Sequence, residues 1–295
     1  MSEKNASSFG RARPQSKPAG KAEPAAVVRV AAVQLASGPS VAANLNEARR
    51  LIAMAAKQGA KLVALPEYFA IMGMQDTDKV KVREAEGTGP IQQFLAETAK
   101  KHKIWLGGGS VPLMSGDPNR VRNSSLVYDD KGKLVARYDK IHLFGFEMGK
   151  EHYFEQRTIE PGSEVKVIDS PFGRLGLSIC YDLRFPELYR ALARPPCDLV
   201  SVPSAFTYTT GAAHWEVLLR ARAIENQCYV VAAAQGGTHE NGRRTFGHSL
   251  VVDPWGEVVA CRGEEGEGVV VAELSSERIA AVRRQLPALE HRLDF

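Results

Sequence analysis

Cys180, Glu67 and Lys140 are the residues of this chain whose types could act together on a carbonyl group. A thiol attacks a carbonyl carbon once a base takes its proton. A carboxylate can be that base, and an ammonium can hold the oxygen anion that the attack creates. Taken singly, none is informative. A lone cysteine is more often a small buried hydrophobe, and a glutamate after proline or a lysine at a strand end is more often solvated. What the three share is an address. Glu67 follows the apolar run 61–65, in Leu65-Pro66-Glu67-Tyr68. Lys140 follows 134–138, in Tyr138-Asp139-Lys140-Ile141-His142. Cys180 ends 175–179, where Leu175, Leu177 and Ile179 alternate on one face. Strand ends over a rigid sheet are where α/β folds gather reacting groups. A turn from that strand into a helix starting near Pro186 would push the Cys180 side chain outward beside unused backbone N–H groups. Such N–H groups and a nearby ammonium would lower the thiol pKa.

The elements that must position these residues follow from periodicity. The run 27–35 is dense in Val and Ala, as in a strand buried on both faces. Asn44 is placed to cap a helix carrying Leu45, Ala48, Ile52 and Ala55 on one face and closed by Gly59. Pro90 opens a helix with Ile91, Phe94 and Leu95 inward, and 104–107 is a third short strand. The period then shifts to hairpins, 124–128 with 134–138 and 165–168 with 175–179. A helix over 186–194, a strand over 198–202, a long helix over 211–227 and a strand over 229–234 follow. The strands 249–253 and 258–262 pair around Pro254-Trp255-Gly256. A strand over 269–273 and a short helix to Arg284 complete the pattern. Helices alternating with strands and hairpins predict an α/β fold with mixed sheets, and enough strands for two of them.

Composition narrows the function classes. The 295 residues carry a formal charge of +4, but 1–26 holds five basic and two acidic residues, so the remainder is close to neutral. A groove for nucleic acid is not indicated. Residues 1–26, rich in Ser, Pro, Gly, Ala and Lys, read as a disordered tail, with 27–295 as one domain. The four cysteines form no C-x-x-C pair and the seven histidines are scattered, so neither a metal nor a cofactor is expected. No apolar run reaches membrane-spanning length and no signal-peptide pattern opens the chain, which suits a cytoplasmic setting.

The blocks Leu65-Pro66-Glu67, Lys140-Ile141-His142-Leu143 and Cys180-Tyr181-Asp182-Leu183-Arg184-Phe185-Pro186-Glu187, in this order and spacing, resemble those of the nitrilase superfamily of carbon–nitrogen hydrolases. The resemblance covers roughly 27–292. It implies a four-layer α-β-β-α sandwich of two mixed sheets. It also implies that Glu67 is the general base, that Lys140 and the backbone N–H of Tyr181 hold the oxyanion, and that Cys180 forms a thioester. A second glutamate that orients Lys140 is implied in the loop beyond it. Glu155 is the first choice, with Glu147 and Glu151 as competitors. The runs 203–206, 211–235, 247–256 and 283–287 resemble the Nit branch. Its nearest activity is hydrolysis of deaminated glutathione to 2-oxoglutarate and cysteinylglycine; the cousin activity is that of ω-amidase on 2-oxoglutaramate. A 2-oxo-dicarboxylate needs a cationic anchor, for which Arg184 is the candidate, with Phe206 and Thr207 as pocket wall. His142 reads as a hydrogen-bonding neighbour of the site, and Cys197, Cys228 and Cys261 as packing residues. The helix over 211–227 has two apolar stripes, one with Trp215 and Leu219 and one with Val217 and Ile224, which suits burial between layers or a homodimer or larger assembly. Two other classes remain: a non-catalytic metabolite-binding member, and a Cys-His enzyme using His142 or His248 as base.

Overall fold

A computed structural model describes residues 27–149, 151–263 and 266–293; the tail expected over 1–26 lies outside the described residues. In chain order the elements are β1 (Val27–Gln34), α1 (Val41–Lys57), β2 (Leu62–Ala64), α2 (Asp78–Lys81), α3 (Pro90–His102), β3 (Trp105–Gly107), β4 (Val111–Met114), β5 (Val121–Tyr128) and β6 (Leu134–Asp139). There follow β7 (Gly145–Met148), β8 (Glu151–Phe154), β9 (Val167–Ser170), β10 (Gly173–Leu177), α4 (Pro186–Leu192), β11 (Leu199–Ser201), α5 (Tyr208–Asn226) and β12 (Tyr229–Ala232). The chain closes with β13 (Gly236–Thr238), β14 (Arg244–Phe246), β15 (Leu250–Val252), β16 (Val258–Cys261), β17 (Gly268–Ser275) and α6 (Ser276–Gln285).

Two mixed sheets face each other. The first runs β17-β1-β2-β3-β5-β4, with β6 on β5; the second runs β16-β15-β12-β11-β10-β9. β1, β2 and β3 are parallel, as are β10, β11 and β12, while the flanking pairs are antiparallel. The period-2 alternation of a strand explains the layering. Along β1, Val28, Val30 and Ala32 pack in one core with Leu175, Leu177, Val231 and Val251 of the second sheet. Ala31 and Val33 point the other way, onto Leu51, Ile52, Phe94 and Leu95 of α1 and α3. Leu188 and Leu192 of α4, with Trp215, Leu219 and Ala223 of α5, pack against the second sheet. The result is the four-layer α-β-β-α sandwich.

Local chemistry differs from expectation in five places. Ser40, not Asn44, caps α1, its Oγ accepting from Ala43 N (3.3 Å). Asn44 sits inside the first turn, buried, tying Gly38 and Ala70 together through its side chain. α5 begins three residues early because Thr207 Oγ1 accepts from Thr210 N and caps it. The hairpins β7–β8 and β13–β14 stand apart from both sheets. Cys261, expected to pack, lies exposed on β16. Of the two stripes on α5, the first is buried, but Val217 and Ile224 are 61% and 48% exposed.

Candidate active site

Each reacting group sits just past a strand end. β2 stops at Ala64, and Leu65 N still donates to Gly107 O (2.9 Å) before Pro66 turns the chain. The turn is tight: a Cβ on Gly109, whose φ is 54°, would fall 2.0 Å from Pro66 O. Tyr68 follows with φ 57°, its amide donating to Ser110 Oγ (3.0 Å). Glu67 is thereby aimed inward and is 1% exposed. Lys140 leaves β6 with its amide on Asn123 O (3.0 Å) and its carbonyl accepting from Gly162 N (2.8 Å).

The completely buried Lys140 Nζ donates to Glu67 Oε1 (2.8 Å) and to both oxygens of Glu155 (3.0 and 2.8 Å). The structure brings Glu155 to the lysine; neither Glu147 nor Glu151 forms an ion pair with it. Glu155 also accepts from Tyr68 OH (2.6 Å) and Phe144 N (2.7 Å), and Glu67 from Asn123 Nδ2 (2.9 Å). Two carboxylates thus surround one ammonium. Burial works against the charged ammonium, but Glu155 and Glu67 outweigh it and hold Lys140 above its ordinary pKa. Burial likewise pushes the Glu155 carboxyl up, and Lys140, Tyr68 and the Phe144 amide bring it below its ordinary value.

Cys180 has φ 49° after the extended Ile179, a left-handed conformation that costs a non-glycine residue energy. It opens a 3-10 turn, Cys180–Arg184, ahead of α4. The turn is fastened by Cys180 N on Pro203 O (2.9 Å) and by the buried Asp182. That carboxylate accepts from Ile179 N, Tyr138 OH and His142 N, and lies 2.7 Å from His142 Nδ1. His142 therefore braces the turn and stacks on Phe185, 3.7 Å between ring centroids. The thiol lies in the field of both the Glu67 carboxylate and the Lys140 ammonium. Its pKa departs from expectation. Burial, and then the Glu67 carboxylate, push it well above the ordinary thiol value, against the smaller opposing pull of Lys140 and the Ala205 amide. The resting group is a thiol with a carboxylate beside it, an arrangement suited to proton transfer during attack.

Two concavities share Phe144 as a wall. One, of about 10 Å³, is lined by Cys180, Tyr181, Arg184, Phe206 and Thr207 and has room for about one water. The other, of about 480 Å³, is bordered by Tyr68, Lys79, Glu155 and Arg243. Arg184 Nη1 lies 3.2 Å from His214 Nδ1, and the guanidinium sits 5.2 Å from the centroid of the Phe206 ring. The Thr207 hydroxyl is engaged with Thr210, so Thr207 lines the cleft while capping α5. Asn123, Tyr68, Asp182 and Phe144 were not singled out in the sequence. Asp182 alone had a signal, its place two residues after the cysteine. Among the described residues no group of three His, Cys, Asp or Glu side chains could hold a metal ion, and no helix is long and apolar enough to cross a membrane.

The family model for carbon–nitrogen hydrolases matches residues 29–284. This chain belongs to the carbon–nitrogen hydrolase family. Among curated relatives, a deaminated glutathione amidase of Synechocystis is 43% identical over 267 residues, covering 89% of this chain and 97% of its own. Omega-amidase NIT2 of Danio rerio is 40% identical over 265 residues, covering 90% and 94%. Among solved structures, Saccharomyces cerevisiae Nit3, a member of branch 10 of the nitrilase superfamily, superposes with a TM-score of 0.82 at 36% identity, covering 90% of this chain and 97% of that one. As a carbon–nitrogen hydrolase, the chain is an enzyme of the nitrilase fold.

Proposed function

We propose that this enzyme hydrolyses the amide bond of a small 2-oxo acid amide, with deaminated glutathione as its substrate, through a thioester on Cys180. The observation that carries the reading is the buried Lys140 ammonium bridging Glu67 and Glu155 beside the Cys180 thiol. Glu67 takes the thiol proton as sulfur bonds to the amide carbon. The carbonyl electron pair moves to oxygen, where Lys140 and the Tyr181 amide receive it. In the 3-10 turn the Cys180 and Asp182 amides already serve Pro203 O and Ile179 O, which leaves the Tyr181 amide for this task. Protonation of Glu67 weakens its hold on Lys140 and lets the ammonium turn to the new anion, while Glu155 keeps it in place. Collapse breaks the C–N bond, and Glu67 passes its proton to the departing nitrogen. Water then gives a proton to Glu67 and attacks the thioester; the acid leaves and the sulfur recovers the proton. Arg184, beside the cleft, anchors the distal carboxylate of the acyl half, with Phe206 and Thr207 as its wall.

The second reading, ω-amidase action on 2-oxoglutaramate, is favoured by the Danio rerio relative and uses the same steps with ammonia as the leaving group. Four free cysteines suit a reducing cytoplasm. The exposed Val217 and Ile224 on α5 suit association of at least two copies, each one domain from residue 27 onward. The test is amine release from both substrates by the purified enzyme and by Glu67→Gln, which keeps the shape and loses the base. A fall in kcat of about 10²–10⁴-fold is expected. Wild-type turnover in Glu67→Gln, with His142→Ala inactive in a folded protein, would support an imidazole base instead.

A further inference from the structure

We propose that the 480 Å³ cavity bordered by Glu155 holds the amine half of the substrate, and that Lys79 and Arg243 bind a carboxylate carried by that half. The inference rests on the amide-hydrolase reading above and extends it to the leaving group. Position is the first argument. Glu67 delivers a proton to the departing nitrogen, so the amine half must leave on a side that Glu67 reaches. Tyr68, its chain neighbour, and Glu155, joined to it through Lys140, both border the large cavity. The thiol and Arg184 face the narrow cleft beyond Phe144, which suits the acyl half.

Size is the second argument. Ammonia is no larger than a water and needs no chamber, whereas a cavity of about 480 Å³ falls within the range of about 300–1,000 Å³ typical of small-molecule sites. Charge is the third. The Lys79 side chain is 13% exposed; its Nζ donates to Thr158 Oγ1 (3.2 Å) and stands 3.9 Å from Asp76, whose own side chain is 72% exposed. Arg243 spends Nη2 on Ala205 O (2.7 Å) and stacks on Tyr153, 4.9 Å from the ring centroid, while its buried Nε has no acceptor. Burial pushes the Lys79 ammonium down, the Asp76 and Glu155 carboxylates pull it back up, and Arg243, a smaller influence than either, pushes it down again, so the two cations repel each other across a wall that also carries carboxylates. An anion received between them would relieve that repulsion. An uncharged leaving group would not relieve it.

The experiment compares two 2-oxoglutaryl amides that share the acyl half and differ at one end. One carries cysteinylglycine with its free carboxylate; the other carries the same dipeptide ending in a carboxamide. In the wild-type enzyme kcat/KM should be about tenfold or more higher for the carboxylate, the difference lying mainly in KM. In Lys79→Met and in Arg243→Met that ratio should fall towards one. Arg243 also braces Ala205, so Lys79→Met carries the variant arm if Arg243→Met does not fold, and the wild-type comparison needs no variant. Equal turnover of the two amides by wild type, or a ratio unmoved in Lys79→Met, would overturn the leaving-group site while leaving the amidase reading intact. No release of amine from either amide would instead remove the amidase reading, and the inference with it.

Discussion

A buried thiol keeps its proton unless something nearby takes it, and Cys180 is surrounded by reasons to keep it. Burial and the Glu67 carboxylate both oppose a thiolate, and Lys140 is shared between two carboxylates that neutralise its pull. The sulfur should therefore react slowly with a small alkylating agent at rest, although it is the proposed attacking atom in turnover. Alkylation of Cys180 by iodoacetamide is expected to accelerate from pH 7 through 9 without levelling off, read by mass spectrometry of the peptide. A plateau below pH 7 would mean a resting thiolate. At this scale the sequence carried much of the site. Glu67, Lys140 and Cys180 are residue types with chemistry of their own, set in blocks that a family resemblance can read, whereas Glu155 was one of three glutamates in the loop beyond Lys140 and only its contact with the ammonium separates it from Glu147 and Glu151. Asn123 and Asp182 are not. Asn123 matters because of Glu67, 56 residues away, and Asp182 because of Tyr138, 44 residues away. The sign of the thiol shift was also hidden, since it depends on how deeply the sulfur is buried.

The β13–β14 hairpin carries Arg243 to the wall of the large cavity and is tied down by His239. Its Nδ1 lies 2.9 Å from Ser37 O and its Nε2 2.8 Å from Thr245 Oγ1. A carbonyl only accepts, so Nδ1 carries the hydrogen and the neutral ring accepts from the threonine at Nε2. Burial pushes the histidine down from 6.5 to about 4. The folded value lies below the unfolded one, so the unfolded chain takes the proton first. Stability from this group is present above pH 6.5 and is lost as pH falls towards about 4, by roughly 3 kcal/mol in all. Urea titrations at pH 7 and pH 4.5 should show that loss, and His239→Gln should flatten it; an equal loss in the variant would acquit His239. The hairpin itself was illegible in the sequence. Its strands have three residues each and no apolar alternation, so nothing marks them apart from a loop. The start of α1 was misread because Ser40 and Asn44 are both good caps, and only the contacts of Asn44 with Gly38 and Ala70 decide between them.

Across the whole molecule, the site exists because two sheets are held face to face. Glu67 and Lys140 come from the first sheet and Cys180 from the second. The apolar core between the sheets therefore sets the distance between the Glu67 carboxylate and the Cys180 thiol. Leu199, fully buried there in β11, is expected to cost about 2–5 kcal/mol when replaced by alanine, with kcat per folded molecule near that of the wild type. A cost below about 1 kcal/mol in urea would mean that the sheets close up readily around a lost side chain. This architecture was largely legible. Runs such as 27–35 are dense in apolar residues, as in a strand covered on both faces, and the parallel cores of both sheets follow from such runs.

The most direct test of the covalent route is turnover of 2-oxoglutaramate or deaminated glutathione with hydroxylamine present, in the wild type and in Cys180→Ala. A thioester on Cys180 should be intercepted, giving 2-oxoglutaryl hydroxamate at the expense of 2-oxoglutarate, with neither product from the variant. Amine release by Cys180→Ala at the wild-type rate, or acid formation that hydroxylamine never diverts, would contradict it.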